Sequence, residues 1–131
     1  MIRALESDGE SMRILVVEPH PEVRALLGHV VERLGHEAVF PSGRRGEALP
    51  DGHVDVLLLE PADPAALSTA ECLRRRCREL PIVCTSIYPD LDRASTLSPL
   101  AYLIKPFGLA ELERALCAAV EAVAAPAKLA S

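Results

Sequence analysis

The sequence predicts a doubly wound α/β domain built on a five-stranded parallel sheet, and three observations carry that expectation. Short β-rich apolar runs alternate with stretches of helical period, the pattern of βαβ units packed around parallel strands. The runs Ile14 to Val17 and Val54 to Leu59 are apolar throughout, as strands covered on both faces should be. The 131 residues suit one domain with a proper core and leave no room for a second.

The elements follow in chain order. Ile14 to Val17 is the first strand and ends at Glu18-Pro19. The first helix opens on Pro21, whose missing N–H costs nothing there, and carries Val23, Leu26, Leu27, Val30 and Leu34 on its core face before Gly35 stops it. His36 to Phe40 is a second, short strand. Pro41-Ser42-Gly43 turns the chain into a second helix that ends before Pro50. Val54 to Leu59 is a central strand closing on Glu60-Pro61. A third helix starts near Pro64, with Leu67, Ala70, Leu73, Cys77 and Leu80 at helical spacing, and Pro81 ends it. Ile82 to Ser86 is the fourth strand. Past Tyr88-Pro89-Asp90, a short fourth helix breaks before Ser98-Pro99. Leu100 to Ile104 is the fifth strand, and the last helix, Leu109 to Val123, aligns Leu109, Leu112, Leu116, Val120 and Val123 on one stripe. The domain is expected over residues 12–124, with flexible tails at 1–11 and 125–131.

Composition excludes several classes. The apolar runs fall well short of the roughly 18 residues that cross a bilayer, and Met1 to Ser11, with Glu6, Asp8 and Glu10, has no secretory pattern. A soluble cytoplasmic chain is expected. The net charge of −5 gives no general attraction to nucleic acid or anionic membrane, and the local run Arg74, Arg75, Arg76 and Arg78 reads as a solvated helix face. Cys72, Cys77, Cys84 and Cys117 have neither zinc-site spacing nor the density of a disulfide scaffold, so reduced, mostly buried thiols are expected.

Right-handed crossovers and short connections favour the strand order 2-1-3-4-5, the flavodoxin-like arrangement, in which ligands sit at the carboxyl ends of the strands. Those ends carry Glu18, Glu60, Ser86 and Lys105. Thr85 adjoins Ser86, and alternation lets only one of the two hydroxyls face the site; spacing from Pro81 favours Ser86. His20, between two prolines, reads as a surface histidine, because no second histidine or cysteine stands at ligand spacing.

Four motifs in order then give the chain a family likeness: Ile14-Leu-Val-Val17 followed by Glu18 and by Pro21; Asp55-Val-Leu-Leu-Leu-Glu60 with Pro64; Pro81-Ile-Val-Cys-Thr-Ser86; and Tyr102-Leu-Ile-Lys105-Pro106-Phe107. From Met12 to Val123 the chain resembles the receiver domains of bacterial two-component response regulators. The resemblance implies a phosphoacceptor position at Glu60, a metal-binding acidic pair at Glu18 and Pro19, phosphate contacts from Ser86 and Lys105, a switching tyrosine at Tyr102 and a cis Lys105–Pro106 bond. Two of these positions depart from the family pattern, which has aspartate at the acceptor and a second acidic residue where Pro19 stands.

Magnesium asks for near-octahedral oxygen ligands and Pro19 offers none. Glu60 pushes its carboxylate outward by one methylene, and a misplacement of about 1 Å costs on the order of 100-fold in a positioned reaction. Phosphoryl transfer depends on position and charge neutralisation, so the expectation is a phosphorylation-independent receiver-like domain without enzymatic turnover and with weak or absent magnesium binding, Glu18 and Glu60 being its weak candidate ligands. Glu60 is expected to pair with Lys105, which also separates it from Glu18, and to mimic phosphate partially, with Tyr102 biased inward. Two other readings stand beside this one: Glu60 as a relic with no switching, and phosphate acceptance by Glu60 or Asp63 in an unusual geometry. The expected partner is a kinase or effector docking on the face of the fourth helix, fifth strand and fifth helix; a homodimer through the same face is the other possibility.

Overall fold

The computed structural model describes residues 11–42, 51–89 and 92–124. The expected second helix and most of both expected tails lie outside the described residues. Within them the chain forms β1 (Arg13–Val17), α1 (Pro21–Arg33), β2 (Glu37–Val39), β3 (Val56–Leu59), α2 (Pro64–Arg76), β4 (Ile82–Ser86), α3 (Asp92–Ser95), β5 (Ala101–Ile104) and α4 (Leu109–Ala124). The strands make one sheet in the order β2-β1-β3-β4-β5, every neighbouring pair parallel.

Alternation along each strand splits the core into two layers. Ile14, Val16, Val56, Leu58, Val83 and Leu103 point to the face covered by α1 and α4, where Leu27, Val30, Val31, Leu112 and Leu116 meet them. Leu15, Val17, Leu57, Leu59, Ile82 and Cys84 point to the other face, against Ala66 and Ala70 of α2 and Leu97. The central strands β1 and β3 are therefore buried on both sides, which is why their sequences are apolar without alternation.

The helix termini use side-chain caps. His20 Nδ1 accepts from the Val23 N–H at 3.4 Å ahead of Pro21 in α1, and Asp63 Oδ2 accepts from the Ala66 N–H at 3.0 Å ahead of Pro64 in α2. Each satisfies a donor that the first turn leaves orphaned.

Several expectations are corrected. α2 stops at Arg76 and not at Leu80, because Cys77 leaves helical geometry as its C-cap. On α1, Leu26 is exposed while Val31 is buried, because the stripe against the sheet runs Val23, Leu27, Val30, Val31 and Leu34 and Leu26 lies off it; on α4 Leu109, the first residue of the helix, is exposed and the buried stripe begins at Leu112. α3 is a single turn. The thiols are not mostly buried: Cys84 is, Cys72 is half-buried, and Cys77 and Cys117 are exposed. Among the described residues no helix is long and apolar enough to cross a membrane.

Candidate functional site

Parallel strands deliver their last residues to one edge, and the register decides which of them are neighbours. Val17 pairs with Leu59 and Leu59 with Cys84, so the residues one step on, Glu18, Glu60 and Thr85, form a row across three strands. Lys105, just past β5, reaches over it. Its backbone is fixed by an N–H bond to the Ser86 carbonyl at 2.8 Å, and the following Lys105–Pro106 peptide is cis.

The Lys105 ammonium donates to Glu18 Oε1 and to Glu60 Oε1, each at 2.9 Å. Both carboxylates are buried, at 4% exposure for Glu18 and 7% for Glu60. Like charges this close repel unless a cation lies between them, and here the cation is Lys105. Their other oxygens are also engaged: Glu18 Oε2 accepts from the His20 N–H at 3.1 Å and Glu60 Oε2 from the Ala62 N–H at 2.9 Å. Burial pulls the Lys105 pKa down, but hydrogen bonds and charge from Glu18 and Glu60 outweigh it and the net direction is up. On the next strand, burial and then the charge of Glu60 push the Cys84 thiol up to about 12, which keeps it protonated and unreactive.

The hydroxyls behave differently from the carboxylates. Ser86 is fully buried, and its Oγ accepts from the Tyr88 N–H at 3.2 Å, closing the turn after β4. Thr85 is fully buried too, and its Oγ1 has no hydrogen-bond partner among the described residues. Tyr102 packs its ring against the Leu57 and Cys84 face of the core, and its hydroxyl donates to the Tyr88 carbonyl at 2.6 Å. One residue, Tyr88, thus joins the Ser86 turn to Tyr102.

The structure brings together Glu18, Glu60 and Lys105, and places Ser86 and Tyr102 at the adjoining turn. Pro19 contributes no side-chain oxygen. Asp63 stands apart as the cap of α2, its carboxylate already holding an N–H. His20 serves the site through its backbone N–H and α1 through its ring. Among the described residues no group of three or more His, Cys, Asp or Glu side chains is arranged to hold a metal ion. All four oxygens of the two glutamates accept hydrogen bonds, two of them from Lys105, so a cation binding there would have to displace the ammonium.

Sequence reasoning passed over Cys84 as a neighbour of Glu60. Its position one strand across and one residue before the row, on the most buried part of the sheet, was the available signal.

No family model and no curated protein sequence matches the chain. Solved structures do. A receiver domain protein from Methanospirillum hungatei superposes with a TM-score of 0.72 at 15% identity, covering 87% of this chain and 97% of that one. The response regulator TrrA of Thermotoga maritima, determined with magnesium and beryllium fluoride, gives 0.68 at 24% identity over 82% and 98%. The chemotaxis protein CheY4 of Vibrio cholerae gives 0.71 at 18% identity over 84% and 99%. The chain has the fold of response-regulator receiver domains. In open α/β sheets the crevice outside the carboxyl ends of the strands is the usual ligand site, and Glu18, Glu60 and Lys105 meet there.

Proposed function

We propose that this chain is a receiver-like module of two-component signalling that acts by binding a protein partner and not by accepting phosphate. The observation that carries this reading is the Lys105 ammonium, bonded at 2.9 Å to both Glu18 and Glu60. A half-buried cation already offsets part of the negative charge that would draw in a metal, and the carboxylate that would be phosphorylated is already paired. Glu60 supplies one standing negative charge where a phosphorylated side chain would carry about −1.5 to −2, so it mimics the modified state in part.

Magnesium has no role in this reading, and there is no turnover. The partner, a kinase or effector, binds the face of α3, β5 and α4, the counterpart of the fourth helix, fifth strand and fifth helix of the sequence. In support, Ile87, Tyr88, Leu100, Ile104 and Leu109 are exposed large apolar side chains along that side, and Tyr88 is bonded to both Ser86 and Tyr102. Because the Lys105 N–H holds the Ser86 carbonyl, Tyr88 would give a change at Lys105 a route to that surface. Four free cysteines suit a reducing, cytoplasmic setting.

The deciding experiment is incubation with acetyl phosphate and magnesium followed by intact-mass measurement. The expected result is an unchanged mass. A phosphate-sized increase overturns the reading in favour of an acceptor at Glu60 or Asp63, which peptide mapping would then assign. In parallel, Glu60→Gln should alter the Tyr102 ring environment seen by NMR; identical spectra around Tyr88 and Tyr102 would make Glu60 a bystander.

A further inference from the structure

At the opposite edge of the sheet from Glu60, where the strands begin, the end of α2 and the loop before β3 enclose a cavity of about 390 Å3. Val54, Leu73 and Leu80 give it an apolar floor. Asp51, His53 and Arg76 stand around its mouth.

Both walls are held from behind by arginines that do not face the cavity. Arg13 Nη1 donates to the carbonyls of Asp51 at 2.9 Å and His53 at 2.7 Å. Between them Gly52 has φ +91°, and a Cβ there would stand 2.4 Å from Arg13 Nη1. On the other wall Arg74 Nη1 donates to the Arg78 carbonyl at 2.6 Å, while its Nε and Nη2 hold the Leu97 carbonyl at 3.0 and 2.6 Å. One arginine of the run is thus structural. The chain it fixes presents Arg75, Arg76 and Arg78 to solvent, and none of the three is in an ion pair among the described residues.

We propose that this edge is a docking site for an acidic peptide segment with one aliphatic anchor. The anchor's side chain fills the cavity over Val54, Leu73 and Leu80, and flanking carboxylates pair with Arg75, Arg76 and Arg78, whose planar forks suit carboxylates. Charge complementarity selects this occupant: on a chain of net charge −5, the exposed guanidiniums of Arg75, Arg76 and Arg78, in no ion pair among the described residues, attract an anion, and Arg76 does so at the cavity itself. Three cations are more than a single small carboxylate uses. The cavity lining holds no Phe, Tyr or Trp ring, and the single imidazole of His53 at its mouth is not the series of rings on which successive bases stack. Asp51 at the far rim turns the peptide's acidic residues towards α2. The site is separate from the Glu60 edge, so a receiver-like chain would hold two partners at once.

Titration of the 15N-labelled chain with the blocked peptide Glu-Glu-Leu-Glu-Glu tests this. Amide signals of Gly52, His53, Leu73 and Cys77 should shift while those of Ala62 and Lys105 stay. The Kd should rise roughly tenfold in the R75E/R76E/R78E variant, since exposed ion pairs are individually weak and act here together. It should also rise roughly tenfold when the peptide leucine becomes serine, which removes the buried anchor. If the triple variant fails to fold, Arg76→Gln with the same titration carries the test, with a smaller rise in Kd expected. No shifts at millimolar peptide, equal binding of Lys-Lys-Leu-Lys-Lys, or an affinity untouched by these substitutions would overturn the proposal. So would the same shifts produced at lower concentration by inorganic phosphate or by a single-stranded oligonucleotide, which would assign the edge to free anions or to nucleic acid.

Discussion

Lys105 serves two buried carboxylates at once, so its loss is felt twice. Lys105→Met leaves Glu18 and Glu60 facing each other without a counter-charge, and breaking a buried pair in this way costs about 3 kcal/mol, to be read as a fall in the urea midpoint. Glu60→Gln is milder, about 1 kcal/mol, because Lys105 keeps Glu18 and the amide oxygen keeps the Ala62 N–H. The sign of the pH dependence follows from the direction of each shift. The folded Lys105 pKa lies above its ordinary 10.5, so its stabilisation is complete below pH 10.5 and is lost as pH rises through the higher folded value. Cys84 acts in the same sense from 9.0 up to about 12. The alkaline loss that survives in Cys84→Ala should therefore shrink when Lys105→Met is added. The same thiol gives a direct chemical readout. With Ellman's reagent the folded chain should release colour quickly from Cys77 and Cys117, more slowly from Cys72, and from Cys84 only after denaturation.

Between elements, single side chains fasten segments that the sheet alone does not hold. His36 accepts the Met12 N–H on Nδ1 at 3.1 Å at the start of β1, which requires the neutral ring. Burial lowers the His36 pKa, and the charge of Asp55 only partly opposes it. A folded pKa below the unfolded 6.5 means stability that is whole above pH 6.5 and lost as pH falls through the folded value. The urea midpoint should therefore drop on acidification, and His36→Gln, whose amide oxygen can still accept but does not titrate, should flatten that drop. Arg74 fastens α3 to α2 through the Leu97 and Arg78 carbonyls. Arg74→Met should cost about 1–2 kcal/mol and raise amide exchange selectively from Ala94 to Leu100, with β1 and β3 unchanged. The run of arginines gave no hint of this division of labour, because which member turns back depends on α2 stopping at Arg76, a boundary set by the geometry at Cys77 and not by periodicity.

For the whole molecule, strand order and the meeting of Glu18, Glu60 and Lys105 were legible because both follow from period and topology: buried parallel strands are apolar runs, and their ends share an edge. The Thr85 orphan and the cavity between Gly52 and Arg76 were not, since each depends on register or distant side chains. The resemblance located the site, while the two substitutions within it argue against the chemistry such a site would otherwise perform, and magnesium separates those two statements. Binding to the folded chain alone would stabilise it by RT ln(1 + [L]/Kd), about 1.8 kcal/mol at about 20 mM magnesium for a Kd of about 1 mM, a shift of several degrees in a domain of this size. For this chain the thermal midpoint in EDTA and in about 20 mM magnesium chloride should coincide, because Pro19 brings no oxygen and Lys105 already occupies both carboxylates. Replacing Pro19→Asp and Glu60→Asp together supplies a second acidic ligand and draws the acceptor carboxylate back from Lys105, so a magnesium-dependent rise should appear in the double variant. A rise in the unmodified chain would show that magnesium can displace Lys105 from Glu18 and Glu60, and the standing ion pair would then be a resting state and not a substitute for phosphate.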